Sequence, residues 1–258
     1  MDLYADILVY CKMRRKKKFL TSVKNDIELN INYKSAWEVT IEKVPTSFAG
    51  LISQEQINLL TPKTPPQTRR QLLVHCNNIF PKYEINTPER IAMWFAQCGH
   101  ESQDFTRLRE DFHYSVEALL KNKNFTKEQA EMWGGIKGKQ KANAKEIEKR
   151  FYLGRKLTYE KNGKYYYGRG FIQLTWLENY IQYGNACGRP EIINSPELLE
   201  TNIELNVLIA CAFIQRNNIN AFADKQDIQG ATRIINGGNN GLEDRQERFT
   251  KCLGILKP

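Results

Sequence analysis

The chain has 258 residues, 41% of them hydrophobic, enough for one sizeable core or a core with a small appendage. Its 38 Lys and Arg against 29 Asp and Glu give a formal charge of +9, which attracts polyanions: nucleic acid, anionic lipid and bacterial cell wall all qualify. No apolar run approaches the ~18 residues needed to cross a bilayer, and the six scattered cysteines, Cys11, Cys76, Cys98, Cys187, Cys211 and Cys252, show no CxxC pair or Cys/His spacing of the zinc-binding kind.

Residues 1–51 form a basic N-terminal extension. Here ADILVYC precedes KMRRKKK, the reverse of the order in a signal peptide, so the chain reads as made in a cytoplasm, with its cysteines as buried free thiols. IELNINY and WEVTIEKV alternate and are rich in β-branched or aromatic residues, which predicts two short strands. The cluster from Lys12 to Lys18 has two readings, an envelope-binding arm or a solvated basic face on a small β appendage.

From Ser53 onward the signals are helical. Ser53 heads SQEQINLL, and TRRQLLVHCNNIF carries apolar residues at helical spacing. Thr87, Pro88 and Glu89 make a strong start for ERIAMWFAQCGH, whose apolar residues cover more than one face and predict a helix buried on most sides. Further starts fall at Ser115, Thr126, Thr201 and Asp227, and TNIELNVLIACAFIQRN is the most apolar helix. KGKQKANAKEIEKR predicts a solvated helix or loop and, without interleaved aromatics, no nucleic-acid site. A hairpin turning at Asn162 and Gly163 is the only strand pair expected after residue 51.

Three constellations carry candidate chemistry. In FAQCGHESQDFTRLREDFHYS, Glu101 and Glu110 suit the acid and base of glycoside hydrolysis, although two glutamates at this spacing are more often charges on a wet helix face. An unbroken helix would separate their backbones by roughly 13 Å, so a shared cleft demands a bend near residues 102–105. YYYGRGFIQLTWLENY combines aromatics, amides and hydroxyls of the kind that bind sugars, or is a glycine-hinged loop leading into a helix; it lacks the spacing of a phosphate loop. TRIINGGNNGLEDRQERF stops one helix at Asn236 and begins another near Glu243.

Together, AQCGHES, REDFHYS, YYGRGFIQLT and INGGNNG resemble, in order, the motifs of glycoside hydrolase family 19, the chitinases and the related lysozyme-like endolysins of bacteriophages, from about Ile52 to Leu256 within a catalytic domain of residues 52–258. The resemblance implies a mainly α, lysozyme-like or chitinase-like catalytic domain with a cleft and a small β-hairpin. It implies Glu101 as general acid, Glu110 as general base and Thr175 as holder of the attacking water, with His100, Tyr167, Arg169, Gln173 and Asn236 toward substrate. His113 stands where relatives often have asparagine, which bears on nearby substrate contacts. The inverting chemistry implied for the family needs no cofactor or metal and sets the carboxyls about 6.5–9.5 Å apart. Glu101 is expected to stay protonated through desolvation or the like charge of Glu110.

Peptidoglycan and chitin are both β-1,4-linked and N-acetylated. The missing export signal and the compact helical region favour a phage-type endolysin that cuts peptidoglycan as a muramidase, held in the host cytoplasm until release to the wall. A chitinase is the alternative, and a non-catalytic wall-binding or virion protein is the alternative of another class. Anionic envelope polymers are the expected partners of the extension, and a monomer is the default.

Overall fold

Helices begin where a capping side chain meets an apolar-periodic run. In the computed structural model, which describes residues 50–257, Ser53 and Gln56 form the reciprocal capping box that starts α1 (Gln54–Leu60). Pro66 opens α2 (Pro66–Ile79), and Thr87 accepts from the Arg90 N–H at the head of α3 (Pro88–Glu101). Every residue of α3 from Ile91 to Gly99 is buried, as the apolar pattern predicts. The strands expected before residue 50, and Cys11, lie outside the described residues.

Ser115 caps α4 (Val116–Leu120), and Thr126 with Gln129 forms a second capping box at α5 (Lys127–Trp133). The charged stretch divides into a loop and α6 (Ala144–Tyr152), which buries Ile147. The expected hairpin is present: β1 (Glu160–Lys161) pairs antiparallel with β2 (Lys164–Tyr165), and both turn residues, Asn162 and Gly163, have positive φ. Helices α7 (Leu177–Ala186), α8 (Glu191–Asn194), α9 (Ile203–Arg216), α10 (Ile219–Asp224), α11 (Ile228–Asn236) and α12 (Leu242–Leu256) complete the order. Asp227 caps α11, but Thr201 caps nothing; the Asn202 side chain accepts from the Leu205 N–H and α9 starts one residue later than predicted. Among the described residues the fold is mainly α-helical with one small two-stranded sheet.

Two apolar cores organise residues 50–257. The larger surrounds α3, where Trp94 packs on Phe80, Phe95, Phe105 and Phe171, its ring nearly parallel to that of Phe105 at 5.7 Å. The smaller gathers Phe112, Leu119, Phe125, Ala130, Ile147 and Tyr167 under α4, α5 and α6. The five cysteines among the described residues are free, four buried and Cys187 partly exposed. No helix among the described residues is long and apolar enough to cross a membrane, and no cluster of His, Cys, Asp and Glu there is arranged to hold a metal.

Candidate active site

The bend demanded of the chain after Glu101 is present. α3 ends at Glu101, and Gln103, Asp104 and Phe105 follow with φ of 49°, 59° and 62°, a left-handed turn built from three non-glycine residues. Such residues cost about 1–2 kcal/mol each, so something must hold them there. Ser102 Oγ donates to the Cys98 carbonyl and accepts from the Phe105 N–H, and Phe105 is folded back against Trp94 and Phe171. Asp104 is tied to Arg248 at 2.5 Å and Lys63 at 3.4 Å, and its carbonyl accepts from Thr64. Burial alone would raise the Asp104 carboxyl, but Arg248 and Lys63 outweigh it and leave its pKa lowered.

The turn carries the chain into an extended segment that pairs with the glycine-rich loop. Gly170 N–H donates to the Leu108 carbonyl and Glu110 N–H to the Gly168 carbonyl, both at 2.9 Å, which sets Glu110 beside Gly168. Glu110 Oε2 accepts from the Tyr152 hydroxyl at 2.5 Å and the Gly168 N–H at 3.1 Å. Oε1 accepts from none of the described residues. A Cβ at Gly168 would lie 2.9 Å from Gln173 Oε1 and 3.3 Å from Glu110 Oε2, so glycine here allows Gln173 and Glu110 to approach one spot from two sides.

Glu101 has a different partner from the one expected. Its Oε1 accepts from Arg245 of α12 at 2.5 Å; Arg245 is fully buried and also donates to Gln97 Oε1 at 2.6 Å and the Asn240 carbonyl at 3.3 Å. A cation, rather than the like charge of Glu110, meets this carboxyl. His100 Nδ1 lies 2.6 Å from Asp244 Oδ2, and its ring fills the place that a Cβ at Gly241 would need. His100 is thus braced against the start of α12.

The remaining residues named from the motifs fall into two groups. Gln173, itself at a φ of 50°, donates from Nε2 to the Gly170 carbonyl, and Thr175 Oγ1 donates to the Gln173 carbonyl at 2.9 Å. Asn236 is exposed at the end of α11, where Gly237 adopts a φ of 74° and closes the helix. Arg169 is only 4% exposed: it donates to Glu200, the Tyr165 carbonyl and the Tyr180 hydroxyl, and its guanidinium lies 3.7 Å from the Tyr167 ring centroid. Tyr167 is buried beneath it, so the contacts of this pair are internal. His113 is exposed and bonded to Asp111, whose carboxyl is lowered by the His113 backbone and ring.

Arg245, Gln97 and Tyr152 belong to the surroundings of the carboxylates and were not found from sequence. Arg245 sits in EDRQER, a mixed-charge run that suggests a wet face, and Tyr152 lies two residues beyond the lysine-rich stretch read as solvated. Two hollows flank the carboxylates along the chain without including them. One, of about 480 Å³, is lined by His113, Ser115, Lys137 and Lys141; the other, of about 560 Å³, by His100, Gln103, Asp104 and Asp244.

The helical fold thus holds two carboxylates, one paired to a buried arginine and one clamped beside a glycine loop, an arrangement compatible with the acid and base of a glycoside hydrolase. The chain is 33% identical over 165 residues to a glycosyl hydrolase family 19 domain-containing protein of Haemophilus influenzae, an alignment spanning 63% of this chain and 78% of that protein. It belongs to glycosyl hydrolase family 19. Endochitinase 1 of Theobroma cacao is 33% identical over 122 residues, covering 36% of this chain and 38% of the relative. Chitinase C of Streptomyces griseus has a similar fold, with a TM-score of 0.57 over 82% of this chain and 95% of that one, at 18% identity. No protein-family profile matches the chain.

These similarities correct the expectation of a phage endolysin. The relatives are named as chitinases and family 19 proteins, and nothing in the likeness singles out lysozymes, muramidases or peptidoglycan. The physical reason is that the features read as those of a lytic enzyme, a compact helical region and an apolar run ahead of a basic one, say nothing about the sugar in the cleft. The bond and the acetamido group are common to both polymers.

Proposed function

We propose that this chain hydrolyses β-1,4 bonds in polymers of N-acetylglucosamine, as a chitinase that inverts the anomeric centre. The observation that carries this reading is the state of Glu110 within a family 19 fold: Oε2 is fixed by two donors, while Oε1 is left to take a proton from water. In the proposed mechanism, Glu101 donates a proton to the leaving oxygen and water attacks from the opposite face. One hydrogen of that water points to Glu110 Oε1. The other points to Thr175, whose own hydroxyl hydrogen is engaged by the Gln173 carbonyl so that its lone pairs are left to accept. Both hydrogens are then held and the water's lone pair faces the sugar carbon.

Gln173 and Asn236 are assigned to hydroxyl and acetamido groups of the chain. His100 is assigned to bracing the helix end that carries Glu101, and the Arg169–Tyr167 pair to shaping the loop that carries Gly168. The test is digestion of chitin hexamer with the products resolved by anomer. Fresh product should be the α-anomer, and Glu101→Gln or Glu110→Gln should each lower kcat by at least about 100-fold. Initial release of the β-anomer would overturn inversion, and near-normal turnover by either variant would overturn the assignment of that carboxyl.

A further inference from the structure

We infer that Tyr152, at the end of α6, is a positioning residue for the base: it fixes the rotation of the Glu110 carboxylate so that Oε1 alone is presented to the attacking water. The inference rests on the proposed role of Glu110 and extends it to a residue outside every recognised motif.

A carboxylate turns readily about its last torsion, and either oxygen then faces the cleft. Here two donors converge on the same oxygen, the Tyr152 hydroxyl at 2.5 Å and the Gly168 N–H at 3.1 Å. Turning the group over would break both bonds at once. The phenol is itself held on three sides. Its ring stacks on Tyr159 at 4.3 Å and 8°, meets Trp176 edge-on at 5.0 Å, and meets Phe112 edge-on at 6.3 Å. Phe112 follows Glu110 by two residues and Trp176 follows Thr175 by one, so the segments bearing the base and the water-holding hydroxyl both lock the tyrosine. Burial, and then the charge of Glu110, push the Tyr152 hydroxyl far above its ordinary pKa, so it is a proton donor at every working pH.

The arrangement also gives the charged stretch from Lys137 to Arg150 a purpose, since α6 carries it on to Tyr152. The helix ends by delivering a hydroxyl from the smaller core to the base, so displacing α6 would release Glu110.

The test is Tyr152→Phe, which keeps the ring and its packing and removes only the donor. On chitin oligomers kcat should fall about 10- to 100-fold, the span of one hydrogen bond to a charged group, while KM stays within about twofold. In the Glu110→Gln background the same substitution should lower kcat no further, because the group it orients no longer acts as a base. Thermal unfolding and circular dichroism of each variant establish that the fold is kept. An unchanged kcat in Tyr152→Phe, a loss confined to KM, or an equal loss in both backgrounds would overturn the clamp. If Glu110→Gln itself hydrolyses normally, the failure lies instead in the reading of the site.

Discussion

Arg245 is the residue on which Glu101 most depends. It has no exposure, and its guanidinium serves Glu101, Gln97 and the Asn240 carbonyl together. Removing one partner of such a pair leaves the other buried and unpaired, whereas removing both is nearly neutral. Arg245→Met should therefore cost about 3–5 kcal/mol in urea unfolding. Arg245→Met with Glu101→Gln should recover part of that loss; no recovery would mean that Arg245 holds the fold through Gln97 and Asn240 alone. At this scale the motifs pointed to the carboxylates but not to their partners. Glu101 and Glu110 stand in ordered motifs, while a buried arginine among acids looks the same in sequence as an exposed one.

The helix break after Glu101 is the element that makes the site, and charge as well as packing sustains it. Arg248 of α12 bonds Asp104 on the turn and Asp244 on its own helix, Lys63 approaches Asp104, and His100 of α3 bonds Asp244. Burial raises both carboxyls, but Arg248 and Lys63 at Asp104, and His100 and Arg248 at Asp244, bring each below the usual 3.8. A carboxyl whose pKa is lower folded than unfolded binds protons more readily in the unfolded chain. Its contribution is complete above about pH 4 and is lost as pH falls through the folded value. Tm should thus stay level toward neutrality and drop on acidification below about pH 4. Asp104→Asn with Asp244→Asn should flatten that drop, and an unchanged acid slope would show that these pairs do not carry it. Capped helices were legible because Ser53, Thr87, Ser115, Thr126 and Asp227 announce themselves chemically. The turn was not, since Gln and Phe carry no left-handed signal and a single Asp only a weak one; only the chemistry asked of two glutamates required a bend there.

Over the whole molecule the positive charge is concentrated. Residues 116–165 hold 13 Lys and Arg against 6 Asp and Glu, while residues 50–115 hold 7 against 7 and residues 166–258 hold 9 against 10. Of those 13, only Lys127 and Lys149 form ion pairs among the described residues. This stretch contributes to the smaller core and delivers Tyr152 to Glu110, so the field it creates lies beside Glu110. A neutral sugar chain gains little from such a field; an acidic one is drawn in and released by salt. Raising ionic strength from about 0.01 to about 1 M shortens the screening length from about 30 to about 3 Å. Over that range kcat/KM on carboxymethyl chitin should fall steeply while kcat/KM on glycol chitin holds nearly level. Lys137→Gln, Lys139→Gln and Lys141→Gln combined should weaken the salt dependence on the acidic polymer alone. Equal salt slopes on the two polymers would show that the charge lies outside the path of the substrate. Composition exposed the excess of cations but not its surroundings, because only the fold shows that α6, within this stretch, ends at a hydroxyl bonded to Glu110.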